Sequence, residues 1–238
     1  MKPGDRIEFL GKKEATRERV KKTLPFEIVY EDEELLVADK PAGLLTISTE
    51  TEKERTLYYE VTAYVRTVKK ENRVFVVHRL DRETSGLVVF AKNPKSKAYL
   101  QENWEQAEKK YAAVVEGRPH EREGEVRSRL AEDKFKRVYK SSSREARESV
   151  TYYRILTSNG RYSMLELQLG TGRKNQIRVH MADLGNPVAG DFKYGAHSDP
   201  LGRMALHAFY LSFPHPLDDN IKVFRSTIPE PFSRLCKA

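Results

Sequence analysis

The apolar residues of this chain come in short runs closed by polar loops or by glycine and proline, and no other feature constrains the fold as much. Residues 74–77 (VFVV) and 87–91 (LVVFA) are the clearest, with the polar stretch HRLDRETSG between them. Runs that short, rich in valine and bounded by turn residues, read as strands rather than helices. Residues 26–40 read as two strands around an acidic turn at 31–34, ended by Pro41 and Gly43. Further strands are expected over 110–116, 126–130, 206–213 and 221–226. Residues 150–157 and 162–169 form a hairpin about Ser158-Asn159-Gly160. Helical spacing of Leu57, Val61, Tyr64, Val65 and Val68 predicts an amphipathic helix over 56–70. Asn93-Pro94 opens a second helix reaching about residue 106, and 176–184 forms a third. Residues 134–147 are polar and basic, an exposed hairpin or loop. Residues 1–10 read as a turn and short strand, 12–22 as a charged linker or solvated helix, and the folded body starts near Leu24. Strands outnumber helices and many are hairpin-linked. The fold class expected is α+β, a mixed, mainly antiparallel β-sheet with flanking helices.

Composition narrows the functional classes. With 39% hydrophobic and 33% charged residues, 238 residues supply a buried core and a solvated surface. Apolar runs are too short for a membrane helix, and the N-terminus lacks a secretory h-region. A single cysteine, Cys236, rules out an intrachain disulfide and a cysteine zinc site. Together these favour the cytoplasm. The net charge of +8 suits a polyanionic partner, and equally a merely basic protein.

Four segments concentrate chemistry. The first, His78 to Gly86, sets Asp81 among Arg79, Arg82, Glu83 and two hydroxyl residues in a loop between strands. Asp81 there is a nucleophile or base; the structural alternative is a salt-bridged turn. The second, Gly170 to His180, runs from two glycines through Arg173, Lys174, Asn175 and Gln176 into a helix carrying Arg178. Such a helix start suits a phosphate, or is simply a glycine turn with basic residues. In the third, Lys109-Lys110-Tyr111, the tyrosine stacks on a base or is a half-buried strand residue. The fourth, residues 206–216, reads as a core strand with His207 a hydrogen-bonded structural histidine. The six histidines form no H-x-x-x-H pair, and no phosphate-binding G-x-x-x-x-G-K-[ST] loop occurs.

In this order the four segments resemble the RluA/RsuA-type pseudouridine synthases. HRLDRETSG resembles that family's HRLDxxTSG motif, KKYAAVVEG its tyrosine motif, GRKNQIRVHMADLGNPVAGDFKYG its third motif and LHAFYLSFPHP its closing strand. The likeness spans residues 24–229. It implies Asp81 as the catalytic aspartate, Tyr111 as the tyrosine on the target base and Arg178 as the basic partner of the aspartate. RNA-binding roles are expected for Arg79, Arg82, Lys110, Arg173, Lys174, Asn175 and Gln176. Residues 1–22 are expected to be the remnant of an N-terminal RNA-binding module and a basic linker, and residues 23–238 the catalytic domain. Lys174-Asn175 stand where a threonine–histidine pair is usual, Asn186 where a histidine is usual, and the loop after Gly43 lacks the usual proline. These departures are expected to stand clear of Asp81, Tyr111 and Arg178 and to bear on RNA-target choice.

The activity implied is isomerisation of uridine to pseudouridine in structured RNA, ribosomal rather than transfer RNA, with the base flipped into a pocket. An isomerisation needs no cofactor and no metal. No membrane and no obligate protein partner are expected, and a monomer is. Asp81 and Arg178 should pair in a partly enclosed pocket. Two rivals remain: an RNA-binding assembly factor without turnover, and a nucleic-acid glycosidase, which would release free uracil.

Overall fold

Continuous apolar runs become strands buried on both faces. In the computed structural model, which describes residues 24–237, β4 (Ser85–Ala91) is buried at every position. β2 (Leu35–Lys40) is buried at five of six. The elements expected over residues 1–10 and 12–22 lie outside the described residues. The other strands are β1 (Glu27–Glu31), β3 (Phe75–Val76), β5 (Glu108–Glu116), β6 (Glu123–Glu132), β7 (Val138–Lys140), β8 (Arg147–Ser158), β9 (Tyr162–Leu169), β10 (Leu206–Pro214) and β11 (Ile221–Arg225). All join one sheet in the order β1-β2-β4-β10-β5-β9-β8-β6-β7, with β11 on β10 and β3 on β4. Every pairing between named strands is antiparallel except β4 with β10.

The burial of β2 and β4 follows from helices on opposite faces. α1 (Leu57–Arg66) sends Leu57, Val61, Tyr64 and Val65 into one cluster with Leu36, Ala38, Val88 and Phe90. α2 (Pro94–Glu102) sends Leu100 into a second with the alternate residues Leu35, Val37, Leu87 and Val89. Both helices start on side-chain caps: Thr56 accepts from the Tyr59 N–H at 3.1 Å and Asn93 from the Ser96 N–H at 2.9 Å. α2 stops at Glu102, short of the expected 106. The Asn103 side chain takes the Tyr99 carbonyl at 3.0 Å, and a 3-10 turn, Trp104–Gln106, follows. That turn lays Trp104 against His78 and Phe213, with ring centroids 4.7 and 6.2 Å away. The basic stretch 134–147 contains β7, hairpinned onto β6. α3 (Gln176–Asp183) packs on β6, β7 and β8, and α4 (Glu230–Leu235), which the sequence reading did not anticipate, buries Phe232 in the main core.

The parallel contact is the junction that places the site. Ser85 and Gly86 lie beside His207 and Ala208. Gly86 has φ +115°, and a Cβ there would sit 2.2 Å from the Ala208 carbonyl oxygen, so only glycine permits this approach. The loop entering β4 therefore opens where β4, β10 and β5 meet.

Candidate active site

The loop of residues 77–84 is tied down on each side of Asp81. His78 Nε2 accepts from the Val89 N–H at 3.1 Å. Burial, helped by the Lys109 charge, pushes His78 down to about 3, so it is a neutral structural acceptor. Thr46 Oγ1 donates to the Leu80 carbonyl at 2.8 Å and accepts from the Leu80 N–H at 3.1 Å. Beneath the loop, fully buried Lys40 donates to the carbonyls of Pro41, Leu44 and Arg82 at 3.0, 2.7 and 3.0 Å. Burial pulls this lysine down to about 7 against the opposing pull of Glu83.

The carboxylate of Asp81 faces α3. Arg178 Nη1 donates to Asp81 Oδ2 at 3.2 Å. The same guanidinium grips a second carboxylate more tightly: Nε and Nη2 donate to the two oxygens of Asp191, both at 2.7 Å. Asp191 is 2% exposed. Burial works against the Arg178 charge, but Asp191 and then Asp81 outweigh it and raise its pKa. The second group on Asp81 is Asn175. Turned so that its nitrogen faces the carboxylate, the orientation that satisfies both neighbours, its amide donates from Nδ2 to Asp81 Oδ2 at 2.6 Å and Oδ1 at 3.2 Å, while its carbonyl accepts from the Tyr194 hydroxyl at 2.9 Å. Tyr111 rises from β5 beside them, paired with Ala208 and Leu167 on its neighbours. Burial and then the Asp81 charge push its phenol upward, so it is protonated at neutral pH. Among the described residues its hydroxyl has no hydrogen-bond partner.

These groups line a cleft of about 350 Å³, within the usual size of a small-ligand pocket. Asp81, Tyr111, Arg178, Asn175 and the apolar Leu80, Leu169 and Leu206 form its walls, and Arg79, Arg173 and Lys174 its exposed rim. Three of the positions expected to bind RNA therefore sit at the mouth of the cleft, and the structure places the other four elsewhere. Gln176 is spent internally, donating to the Val150 carbonyl and Thr151 Oγ1 and accepting from Thr171 Oγ1 and the Arg173 N–H. Asn175, expected to stand clear of Asp81, touches it. Lys110 points to the opposite face of β5 from Tyr111, as strand alternation requires, and pairs with Glu108 at 3.1 Å. Arg82 is exposed but outside the cleft walls. His207 is structural, as expected: its nitrogens meet Ser85 Oγ at 2.8 Å and Ser226 Oγ at 3.0 Å, and burial holds it down at about 4.

Asp191, Tyr194, Thr46 and Lys40 were not singled out from the sequence. For Asp191 a signal existed, a lone carboxylate directly after the otherwise uncharged stretch Asn186 to Gly190.

An arginine-braced carboxylate beside a protonated tyrosine, in a cleft rimmed by basic side chains, brings an acid–base pair and anion-binding groups to one place. The RNA pseudouridylate synthase family profile matches residues 34–183. The chain belongs to this family, and it is an RNA pseudouridine synthase, an isomerase acting on RNA. It is 34% identical over 245 residues to an uncharacterized RNA pseudouridine synthase, YhcT, of Bacillus subtilis (strain 168), covering 100% of this chain and 80% of that one. It is 34% identical over 231 residues to ribosomal large subunit pseudouridine synthase D of Zymomonas mobilis, covering 90% of this chain and 73% of that one. Among solved structures, human RNA pseudouridylate synthase domain containing 4 superposes with a TM-score of 0.75 at 25% identity, covering 92% of this chain and 95% of that one.

Proposed function

We propose that this enzyme converts a uridine of ribosomal RNA to pseudouridine, with Asp81 as the catalytic carboxylate acting on a base extruded into the cleft. The observation that carries the reading is the single ionisable oxygen pair at the cleft wall, held by Arg178 and Asn175 and overlooked by Tyr111. The bond from ribose carbon 1′ to uracil nitrogen 1 breaks, the base turns, carbon 1′ joins carbon 5, and the proton of carbon 5 is released while nitrogen 1 gains one. Oδ2 of Asp81 takes the Arg178 bond and the shorter Asn175 bond, so Oδ1, with only the 3.2 Å contact, is the freer oxygen. Oδ1 is the atom assigned to the reaction. Tyr111 offers a ring for base stacking and a protonated phenol that can donate a hydrogen bond to the base; the carbon 5 proton leaves to another acceptor. Arg79, Arg173 and Lys174 hold the phosphates around the opening. The preference for ribosomal over transfer RNA draws on relatives named as ribosomal large subunit synthases.

The test uses RNA tritiated at uridine carbon 5, offered as large-subunit ribosomal RNA and as bulk transfer RNA. Tritium release from the ribosomal substrate is expected, and Asp81→Asn should abolish it while melting like the parent. Turnover by Asp81→Asn at the parental rate refutes the mechanism, and release from transfer RNA alone refutes the substrate class.

A further inference from the structure

We infer that Asn175 and Tyr194 are positioning residues for Asp81 that act as one unit, Tyr194 setting the Asn175 amide and the amide setting the carboxylate. The inference rests on the assignment of Asp81 as the catalytic group.

The first argument comes from the backbone. Asn175 stands at the N-cap position of α3, where asparagine ordinarily caps by accepting a helix N–H. It does not cap: its backbone is left-handed, φ 51° and ψ 16°, and its side chain makes no capping bond. A left-handed residue other than glycine is uncommon and asparagine is one of the few that adopt it. The conformation directs the amide away from the helix and against Asp81. The residue has given up the usual local use of its side chain for a contact with the carboxylate.

The second argument is hydrogen-bond bookkeeping. With the carbonyl oxygen toward Asp81, it would accept a long 3.4 Å bond from Arg178 Nη1 but set two acceptors face to face at 2.6 Å; with Nδ2 there, that long bond is lost and both Asp81 oxygens gain a donor. Tyr194 enforces that choice. Its hydroxyl accepts from the Val138 N–H at 3.2 Å, which leaves its own proton for the Asn175 carbonyl at 2.9 Å. Reversing the amide would strand the phenol proton in a buried place, since Tyr194 is 7% exposed. The relay runs from the β6–β7 hairpin through Tyr194 and Asn175 to Asp81.

The third argument is that the Tyr194 ring also carries the other donor. The Arg178 guanidinium lies 4.8 Å from its centroid, so both groups that hold Asp81 rest on one aromatic side chain. The charged groups around this unit are Asp81, Arg178 and Asp191, with Arg137 and Lys193 5.7 and 5.6 Å from the same ring. An amide adds donors there without adding charge.

The experiment compares Asn175→Gly, Tyr194→Phe, their double variant and Asp81→Asn by tritium release under saturating and limiting RNA, with melting temperatures. Glycine keeps the left-handed backbone and removes only the amide. Phenylalanine keeps the ring under Arg178 and removes only the hydroxyl. Asn175→Gly is expected to lower kcat roughly 10- to 100-fold, the loss of hydrogen bonds to a charged group, with KM for RNA within about 2-fold. Tyr194→Phe should lower kcat in the same sense by less, and the double variant should be no worse than Asn175→Gly, because the two act in series. Parental kcat in Asn175→Gly, or a raised KM at parental kcat, overturns the inference while leaving an inactive Asp81→Asn to uphold the catalytic assignment. Losses in the two single variants that multiply in the double also overturn it. Should Asn175→Gly fail to fold, a parental kcat in Tyr194→Phe refutes the relay on its own. An active Asp81→Asn instead removes the assignment on which the inference rests.

Discussion

Replacing Asp191 by asparagine tests how the site is held together. The side chain is 2% exposed and takes two bonds of 2.7 Å from Arg178, itself 13% exposed. The substituted amide would keep one acceptor but turn an N–H₂ toward a group that can only donate. Stripping one partner from a buried ion pair costs about 3–5 kcal/mol. Here Arg178 retains Asp81 at 3.2 Å, which places the loss near the lower bound, about 3 kcal/mol. For a chain of this size that corresponds to a fall of roughly 6–12 °C in Tm. Urea unfolding should show the loss as a lowered midpoint at constant slope. The double variant Asp191→Asn/Arg178→Met removes the stranded cation too and should be more stable than Asp191→Asn alone. Turnover should drop with the first variant, since Arg178, freed from its tighter partner, shifts its grip on Asp81. A stability within about 0.5 kcal/mol of the parent, or losses that add in the double variant, would refute the reasoning.

Two further outcomes follow from the fold. Gly86→Ala drives a Cβ to 2.2 Å from one backbone atom of Ala208 and 2.6 Å from another, at φ +115°, so a loss above about 4 kcal/mol or insoluble protein is expected. A parental melting curve would contradict the parallel β4–β10 contact. For Lys40, burial lowers the pKa from 10.5 to about 7, so between those values the unfolded chain binds more protons than the folded one. Its contribution to stability must therefore rise with pH across that window, and Lys40→Met should flatten the rise; an unchanged slope in urea titrations at pH 7, 8.5 and 10 would show that Lys40 stays protonated in the fold.

Much of the architecture was written in local pattern. The run at 87–91 gave a buried strand, and Ser158-Asn159-Gly160 gave the β8–β9 turn, because both depend on neighbours in sequence. The partner of β4 did not: His207 pairs with Ser85 across 122 positions, and periodicity carries no information about which strand lies alongside. The end of α2 was missed because it is decided by where Trp104 must pack. For the site, the residues alone left Asp81 as either a nucleophile or base or part of a salt-bridged turn; the order of the four segments, through their resemblance to a family, joined Asp81, Tyr111 and Arg178. Asn175 and Gln176 were read as RNA ligands because an amide's use is set by tertiary neighbours. That Lys110 lies on the other face of β5 from Tyr111 was legible, since adjacent strand residues face opposite ways.

One guanidinium shared between two carboxylates leaves the floor of the cleft with an unbalanced negative charge, while Arg79 and Arg173 make the rim cationic, Lys174 beside them being paired with Glu132. The two zones sort the parts of a nucleotide. A phosphodiester is attracted to the mouth and repelled from the interior, whereas an uncharged pyrimidine crosses the boundary without electrostatic penalty. On the proposed function, the depth to which each portion of an RNA strand enters would be graded by its charge, with the backbone held outside the space assigned to the base.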